Sequence, residues 1–387
     1  MPSKTWTLTD VGARTAIEQI SLGPADVGGT AVGYSITKQT LRGGLSDGVD
    51  LIHVDNGRFA FEALPTRGMG LWRAWLGDLE IGWKSPVRGP VHPQFVPLAE
   101  PSGIGWLDGF DELLVRCGLT SNGAPEFDDQ GTLQYPLHGR IANRPAHKVE
   151  VSVDGDSGEI ELTGIVEETR FLFQRLRLTS TIKSQLGEAG LRIHDEVENL
   201  AARPAEIQLL YHINFGEPLL AAGSQIVAPV KTLVPRNLHA ASGIGSWDRY
   251  IAPQAGFEEQ VYLMELLAGD GGLTQTLLKN AQNTQGVSLH FNIEQFPCFT
   301  LWKNPAASAD GYVTGLEPGT NFPNPRSFEQ QHGRVVKLAP GQKVCFDLRL
   351  EIHTQADEIQ RAGESIATLQ SAAPSQIFDQ PQRTWCA

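Results

Sequence analysis

Apolar and polar residues alternate along most of this chain, and the alternation is clearest from Leu191 to Gly216. Leu191, Ile193 and Val197 fall on one side; Arg192, His194, Glu196 and Glu198 fall on the other. A period of two is that of a half-buried strand. Asn199 to Pro204 is small, polar and broken by proline, so the chain turns there. Ile207 to Phe215 then reads as a second strand, apolar on both faces, with His212 inside it. A histidine in such a run must satisfy two ring nitrogens within the fold. It is either a tied-down core residue or a group held for chemistry.

The same period recurs on both sides. Phe59–Leu64 ends at Pro65, and Pro65 to Gly70 forms a turn with Arg67 at its apex. Leu71–Leu76 and Leu79–Trp83 read as a hairpin about Gly77-Asp78. Further strands are expected at Lys148–Val153, Glu159–Glu167, Phe171–Ile182, Val261–Leu267, Gly272–Lys279, Val287–Asn292, Cys298–Trp302, Arg334–Leu338 and Val344–Thr354. Leu219–Val227 is a weaker strand, and Lys231–Gln254 reads as a loop. Helical spacing is confined to a short pattern near Val11–Ile20 and to Gln355–Leu369, where Ile359, Ala362 and Ile366 share a face. Many short alternating runs between turns predict an all-β sandwich. Three parts are expected: an N-terminal extension over 1–30, the β-sandwich domain over 31–354, and a C-terminal helix and tail over 355–387. Trp385 is a candidate anchor for the tail.

Composition narrows the function. A net charge of −13 over 387 residues repels phosphate backbones and argues against nucleic acid as a partner. No apolar run approaches a membrane span, and the N-terminus lacks an apolar signal core. Cys117, Cys298, Cys345 and Cys386 show neither zinc nor disulfide spacing, which suits a reducing, cytoplasmic setting. No cofactor or metal is expected. Ser85 to Gly131 is long and proline-rich, with Trp106-Leu-Asp-Gly-Phe at its centre; it reads as a cleft wall or as a loop packed over the sandwich.

Three points along the chain resemble the galactose mutarotase (aldose 1-epimerase) family. They are Leu137-His138-Gly139, the strand Leu210-Tyr211-His212-Ile213-Asn214-Phe215-Gly216, and the strand end Gly315-Leu316-Glu317-Pro318. Around His212 the family's Thr-Asn is replaced by Leu-Tyr, and its Tyr-Phe-Asn by Ile-Asn-Phe, which marks a divergent branch. The resemblance implies a galactose mutarotase-like supersandwich of large antiparallel sheets with few short helices. It implies anomer interconversion of a free sugar or sugar derivative through the open-chain form. In that role Glu317 would be the base and His212 the acid. His138, Arg67 and Trp302 would contact the sugar, and Asp248, with Glu265 next, would be the carboxylate gripping hydroxyls. Trp247 and Phe322 are further aromatic candidates. The partner would be a small carbohydrate, and the chain a monomer or homodimer. Two other readings stay open: a non-catalytic carbohydrate-binding protein on the same scaffold, and a metal-dependent sugar isomerase or lyase.

Overall fold

A computed structural model describes residues 3–387 and places two antiparallel sheets face to face. One sheet has ten strands. The other has fourteen, counting two short strands off its main path. Four α-helices complete the fold, of which only Ala356–Gln370 exceeds two turns. This is the all-β sandwich that the alternation predicts, in the supersandwich form that the resemblance implies. The apolar stripes of both sheets merge into one core running from Leu8 to Ile352.

The two strands read first from the sequence fall in different sheets. Gly190–Asn199 lies in the ten-stranded sheet between Gln174–Gln185 and Lys343–His353. Its burial alternates residue by residue, so one face meets the core and the other meets water. Ala205–Gly216 lies near the centre of the larger sheet, and from Ile207 onward every residue is buried. Its odd residues face the core. Its even residues, His212 among them, face a second layer built from the proline-rich segment.

The sheets are clasped by a buried ion pair. Arg116, on the Leu114–Leu119 strand of the larger sheet, donates from Nε and Nη2 to Asp195 on the other sheet. It also donates to Ser180 Oγ at 2.8 Å and to the Met69 carbonyl at 2.6 Å. Tyr211, beside His212 in the chain, donates its hydroxyl to Asp195 at 2.6 Å. Charges so buried persist only when paired and fully hydrogen-bonded.

Several sequence expectations need correction. Val11–Ile20 is not helical: a turn leads to short strands at Thr15–Ala16 and Gln19–Leu22. The first thirty residues are not a separate extension. Ser3–Asp10 pairs with Lys148–Asp154 in the ten-stranded sheet, and Gln19–Leu22 pairs with Ser35–Thr40 in the larger one. Long-range pairing there outweighs a weak local helical pattern. The Ser85–Gly131 segment contains a central strand, Leu114–Leu119, all six residues of which are buried. The Lys231–Gln254 loop begins as the strand Val230–Pro235 and continues into the helix Leu238–Ser242, capped by the Asn237 side chain. Of Leu219–Val227 only Gln225–Val227 is strand, and the strand expected from Phe171 starts at Gln174.

The C-terminal helix packs Ile359, Ala362 and Ile366 against Leu277. The tail pairs Gln376–Ile377 with Val230–Pro235, and Trp385 then stacks on Phe322 at 4.8 Å. Among the described residues no helix is long and apolar enough to cross a membrane, and the four cysteines are free.

Candidate functional site

Strand register assembles the site. Leu210 pairs with Gly319 and Ile213 with Leu316, which sets His212 beside Glu317 on adjacent strands. Glu317 in turn pairs with Thr300 on Cys298–Asn304. His212, Glu317 and Thr300 therefore form a row across three strands, on the face turned away from the core. Neighbours in such a row sit about 5 Å apart, within reach of one another's side chains. Two residues along, Gly315 pairs with Trp302, and Trp302 with Val261.

The proline-rich segment roofs this row. A short 3-10 helix, Gly105–Gly109, delivers Trp106 and Leu107, and Phe110 follows it. Trp106 and Phe110 pack at a tilt with ring centroids 4.7 Å apart, and Phe110 meets the His212 ring edge-on at 5.1 Å. The resulting cavity of about 210 Å³ is lined by Trp106, Leu107, Phe110, Ala124, Leu137, His138, His212, Arg236, Glu259, Val261, Thr300, Trp302, Glu317 and Pro323. It is small beside the ~300–1,000 Å³ of drug-sized sites, which suits a ligand the size of a monosaccharide.

Hydrogen bonds settle where the protons lie. Asn214 donates its amide to the Glu112 carbonyl at 3.0 Å, so its oxygen is left to accept from His212 Nδ1 at 2.6 Å. The His212 proton is thus on Nδ1, and Nε2 faces Glu317 Oε1 at 3.2 Å. Glu317 Oε1 is buried without a hydrogen-bond partner. Burial, with the Glu259 carboxylate second, pushes Glu317 well above the ordinary carboxylate value, and Arg236 offsets part of this. Burial, with the His138 ring second, pushes His212 well below the usual imidazole value, against its bond to Asn214. Both shifts favour an uncharged pair, with one titrating proton held on Glu317 and His212 Nε2 bare.

His138 completes this end of the cavity. Its Nδ1 donates to the Asn122 carbonyl at 2.9 Å, which leaves Nε2 as a free acceptor. Burial lowers its pKa to about 4, so the ring is neutral at pH 7. The Leu137-His138-Gly139 turn is set by the backbone: His138 has φ 56° and Gly139 φ 73°. A Cβ on Gly139 would come within 2.0 Å of the Ser121 carbonyl oxygen, so only glycine lets these segments meet.

Four of the six site candidates, His138, His212, Trp302 and Glu317, line the cavity. Arg67 does not. Its side chain is completely buried beneath the roof, donating to Glu112 at 2.9 Å, to the Gly109 carbonyl at 2.8 Å and to Asn143 Oδ1. An arginine so sealed presents no donor to the cavity. Asp248 is also elsewhere: it accepts from Gln225 at 2.8 Å, at the edge of the ten-stranded sheet. Glu265 pairs with Lys231 on the surface, Trp247 packs on the main core, and Phe322 lies under Trp385.

The carboxylate that does reach the cavity between His212 and Glu317 in chain order is Glu259. It accepts from Trp302 Nε1 at 2.6 Å and from Arg236 at 3.1 Å. Neither Glu259 nor Arg236 stands in a recognisable motif. Thr300 was legible only as the residue two before Trp302 on the same face. Trp106 and Phe110 were legible only as aromatics in a segment long enough to cover something. Among the described residues no three His, Cys, Asp or Glu side chains converge as a metal site.

Gly315 holds the pair open to the cavity. A methyl group there would lie 2.5 Å from Glu317 Oε1 and 3.0 Å from His212 Cε1. The displaced atoms are at the ends of side chains, so the strand itself is not disturbed. Gly315→Ala should leave the thermal melting point within a few degrees of wild type, yet remove at least ~10-fold of whatever proton-transfer activity the pair supports. Full activity in that variant would show that the pair tolerates displacement and is not the reacting group.

The two-sheet supersandwich is that of the galactose mutarotase-like class. The chain belongs to the family described as Domain of unknown function (DUF4432), which it matches over residues 46–352. A Klebsiella pneumoniae protein described as a "putative aldose 1-epimerase" is 33% identical, with a TM-score of 0.94 over 98% of this chain and 99% of that one. A galactose mutarotase-like protein of Clostridium acetobutylicum superposes at TM-score 0.57 with 13% identity, over 83% of this chain and 98% of its own. A galactose 1-epimerase of Lactobacillus acidophilus superposes at 0.55 with 12% identity, over 83% and 99%. These last two share the fold. No curated protein matches the sequence.

Proposed function

We propose that this protein interconverts the anomers of a free sugar, with Glu317 and His212 as the acid–base pair. The observation that carries the reading is the buried, unpartnered Glu317 Oε1 set 3.2 Å from His212 Nε2 at the floor of the cavity. Mutarotation needs one group to take the proton of the anomeric hydroxyl and another to give a proton to the ring oxygen as C1–O5 breaks and the C1 carbonyl forms. Two groups sharing one proton suit that task. In the uncharged pair Glu317 gives its proton to the ring oxygen while His212 Nε2 takes that of the anomeric hydroxyl, the reverse of the roles the resemblance implies, and the ring opens. After the aldehyde rotates, the roles reverse and the ring closes on the other face. The pair ends with its single proton, ready for the next turnover.

His138 would accept from a neighbouring hydroxyl through Nε2. Trp302 would supply a flat apolar surface, 5.3 Å from the His212 ring. Glu259, not Asp248, is the carboxylate at the rim, held by Trp302 and Arg236. The partner in this reading is a small carbohydrate, and no step requires a cofactor.

The test is saturation-transfer NMR of anomer exchange over a panel of free sugars. Acceleration by wild-type protein at catalytic concentration is the expected result. Sugar binding without acceleration would sink the catalytic reading and leave a carbohydrate-binding protein.

The same pair sets the pH response. The active form holds one proton. A second proton must go on to His212, whose pKa is depressed below 6.5, and the last must leave Glu317, whose pKa is raised above 4.5. Activity should therefore have its acid limb below pH 6.5 and its alkaline limb displaced upward from the ordinary carboxylate range. A kcat/KM profile with an acid limb at or above the ordinary imidazole value would contradict the protonation state assigned to His212.

A further inference from the structure

The same cavity holds a second group of unsatisfied atoms. Trp106 Nε1 and Thr300 Oγ1 are buried and, like Glu317 Oε1, have no hydrogen-bond partner. Both residues line this one small cavity. A buried donor or acceptor left unmade is costly, and natural folds keep few of them. Three around one cavity indicate a polar ligand that completes them.

The inventory of polar groups limits that ligand. Glu317 and His212 are occupied by the anomeric hydroxyl and the ring oxygen. Trp106 Nε1, Thr300 Oγ1 and His138 Nε2 remain, one group for each of three further hydroxyls. Glu259 and Arg236 pair with each other at the partly exposed rim, where water already serves their remaining bonds, so a hydroxyl that reaches them there gains little. The rest of the wall is carbon, from Leu107, Phe110, Leu137, Val261 and Pro323. Arg67, which could have offered a donor at that side, is sealed below it by Glu112 and Asn143.

We infer that the site selects neutral aldopyranoses with three ring hydroxyls besides the anomeric one and no hydroxyl or charge beyond C5, namely pentopyranoses and 6-deoxyhexopyranoses, with Thr300 and Trp106 as hydroxyl anchors. The orientation of the sugar rests on the acid–base reading of Glu317 and His212. A hexose adds a fourth hydroxyl, stripped of water against carbon, which costs roughly tenfold to a hundredfold in affinity. A uronate or sugar phosphate adds an anion facing Glu317 and Glu259 with no unpaired cation to receive it.

The test is calorimetric binding together with anomer exchange for matched series in the galacto, gluco and manno configurations, both enantiomers of each. Each series holds the pentose, the 6-deoxyhexose, the hexose and the uronate; L-arabinose, D-fucose, D-galactose and D-galacturonate are one such set. In the configuration that binds, the pentose or 6-deoxy sugar should bind at least ~10-fold more tightly than the hexose and the uronate. Thr300→Val, equal in shape and lacking only the hydroxyl, should weaken that best ligand by about tenfold while the melting point holds. Equal or tighter binding of the hexose or the uronate would overturn the inference, as would undiminished affinity in Thr300→Val. Selective binding without exchange would support it and overturn the catalytic reading instead. If no sugar of any series binds, both fall.

Discussion

Replacing Glu317 with glutamine should abolish anomer exchange while leaving the protein folded and able to bind sugar. Glutamine keeps the size and planarity of the side chain and can still hydrogen-bond, but it cannot take up and release a proton at pH 7. Positioned acid–base groups are worth about 10²–10⁴ in rate, or roughly 3–5 kcal/mol of barrier. The expected signature is therefore a fall of that size in kcat with KM little changed. The folded state should not suffer: the glutamate is held as a neutral acid by burial, and its Oε1 has no hydrogen bond to lose. His212→Gln should cost a similar factor, and the double variant little more, because the two groups act as a unit. A Glu317→Gln protein that still exchanges anomers within threefold of wild type would remove the carboxyl from the mechanism.

The second large effect concerns stability. Asp195→Asn should destabilise the fold by about 3–5 kcal/mol, the cost of leaving one buried charge without its partner. Arg116 is fully buried between the sheets and has no route to water, and Tyr211 would lose its acceptor as well. Against a total of roughly 5–15 kcal/mol for a domain, such a loss is severe. Urea denaturation with an unchanged m-value would measure it. Arg116→Met combined with Asp195→Leu removes both charges, and this double variant should recover much of the loss. If the double variant is as unstable as Asp195→Asn, packing rather than charge clasps the sheets. The consequence reaches the site: Arg116 pairs with Tyr211 in register, and Val115 with His212. The strand that presents the histidine outward is thus anchored inward through its neighbour.

Much of the fold was legible because a strand buried on one face advertises itself every second residue. Gly190–Asn199 and the strands on either side of it were readable for that reason. Strands buried on both faces carry no such mark. Leu114–Leu119 hid inside a proline-rich stretch, though it stands at the centre of the larger sheet. Short edge strands such as Gln19–Leu22 owe their state to a partner and not to their own letters.

The site divides in the same way. Local sequence placed His212 and Glu317 on strands, and the resemblance singled out His138 beside Gly139. Only the tertiary structure decided which face each presents, since register is a relation between distant segments. It set Thr300 beside Glu317 and brought Glu259 to the rim in place of Asp248. It also gave Arg67 to Glu112, turning a candidate sugar contact into a structural ion pair. A carboxylate or a guanidinium has the same identity on a rim as beneath a floor. What it can do depends on which partners the fold has already given it, and strand register and layer packing alone fix those.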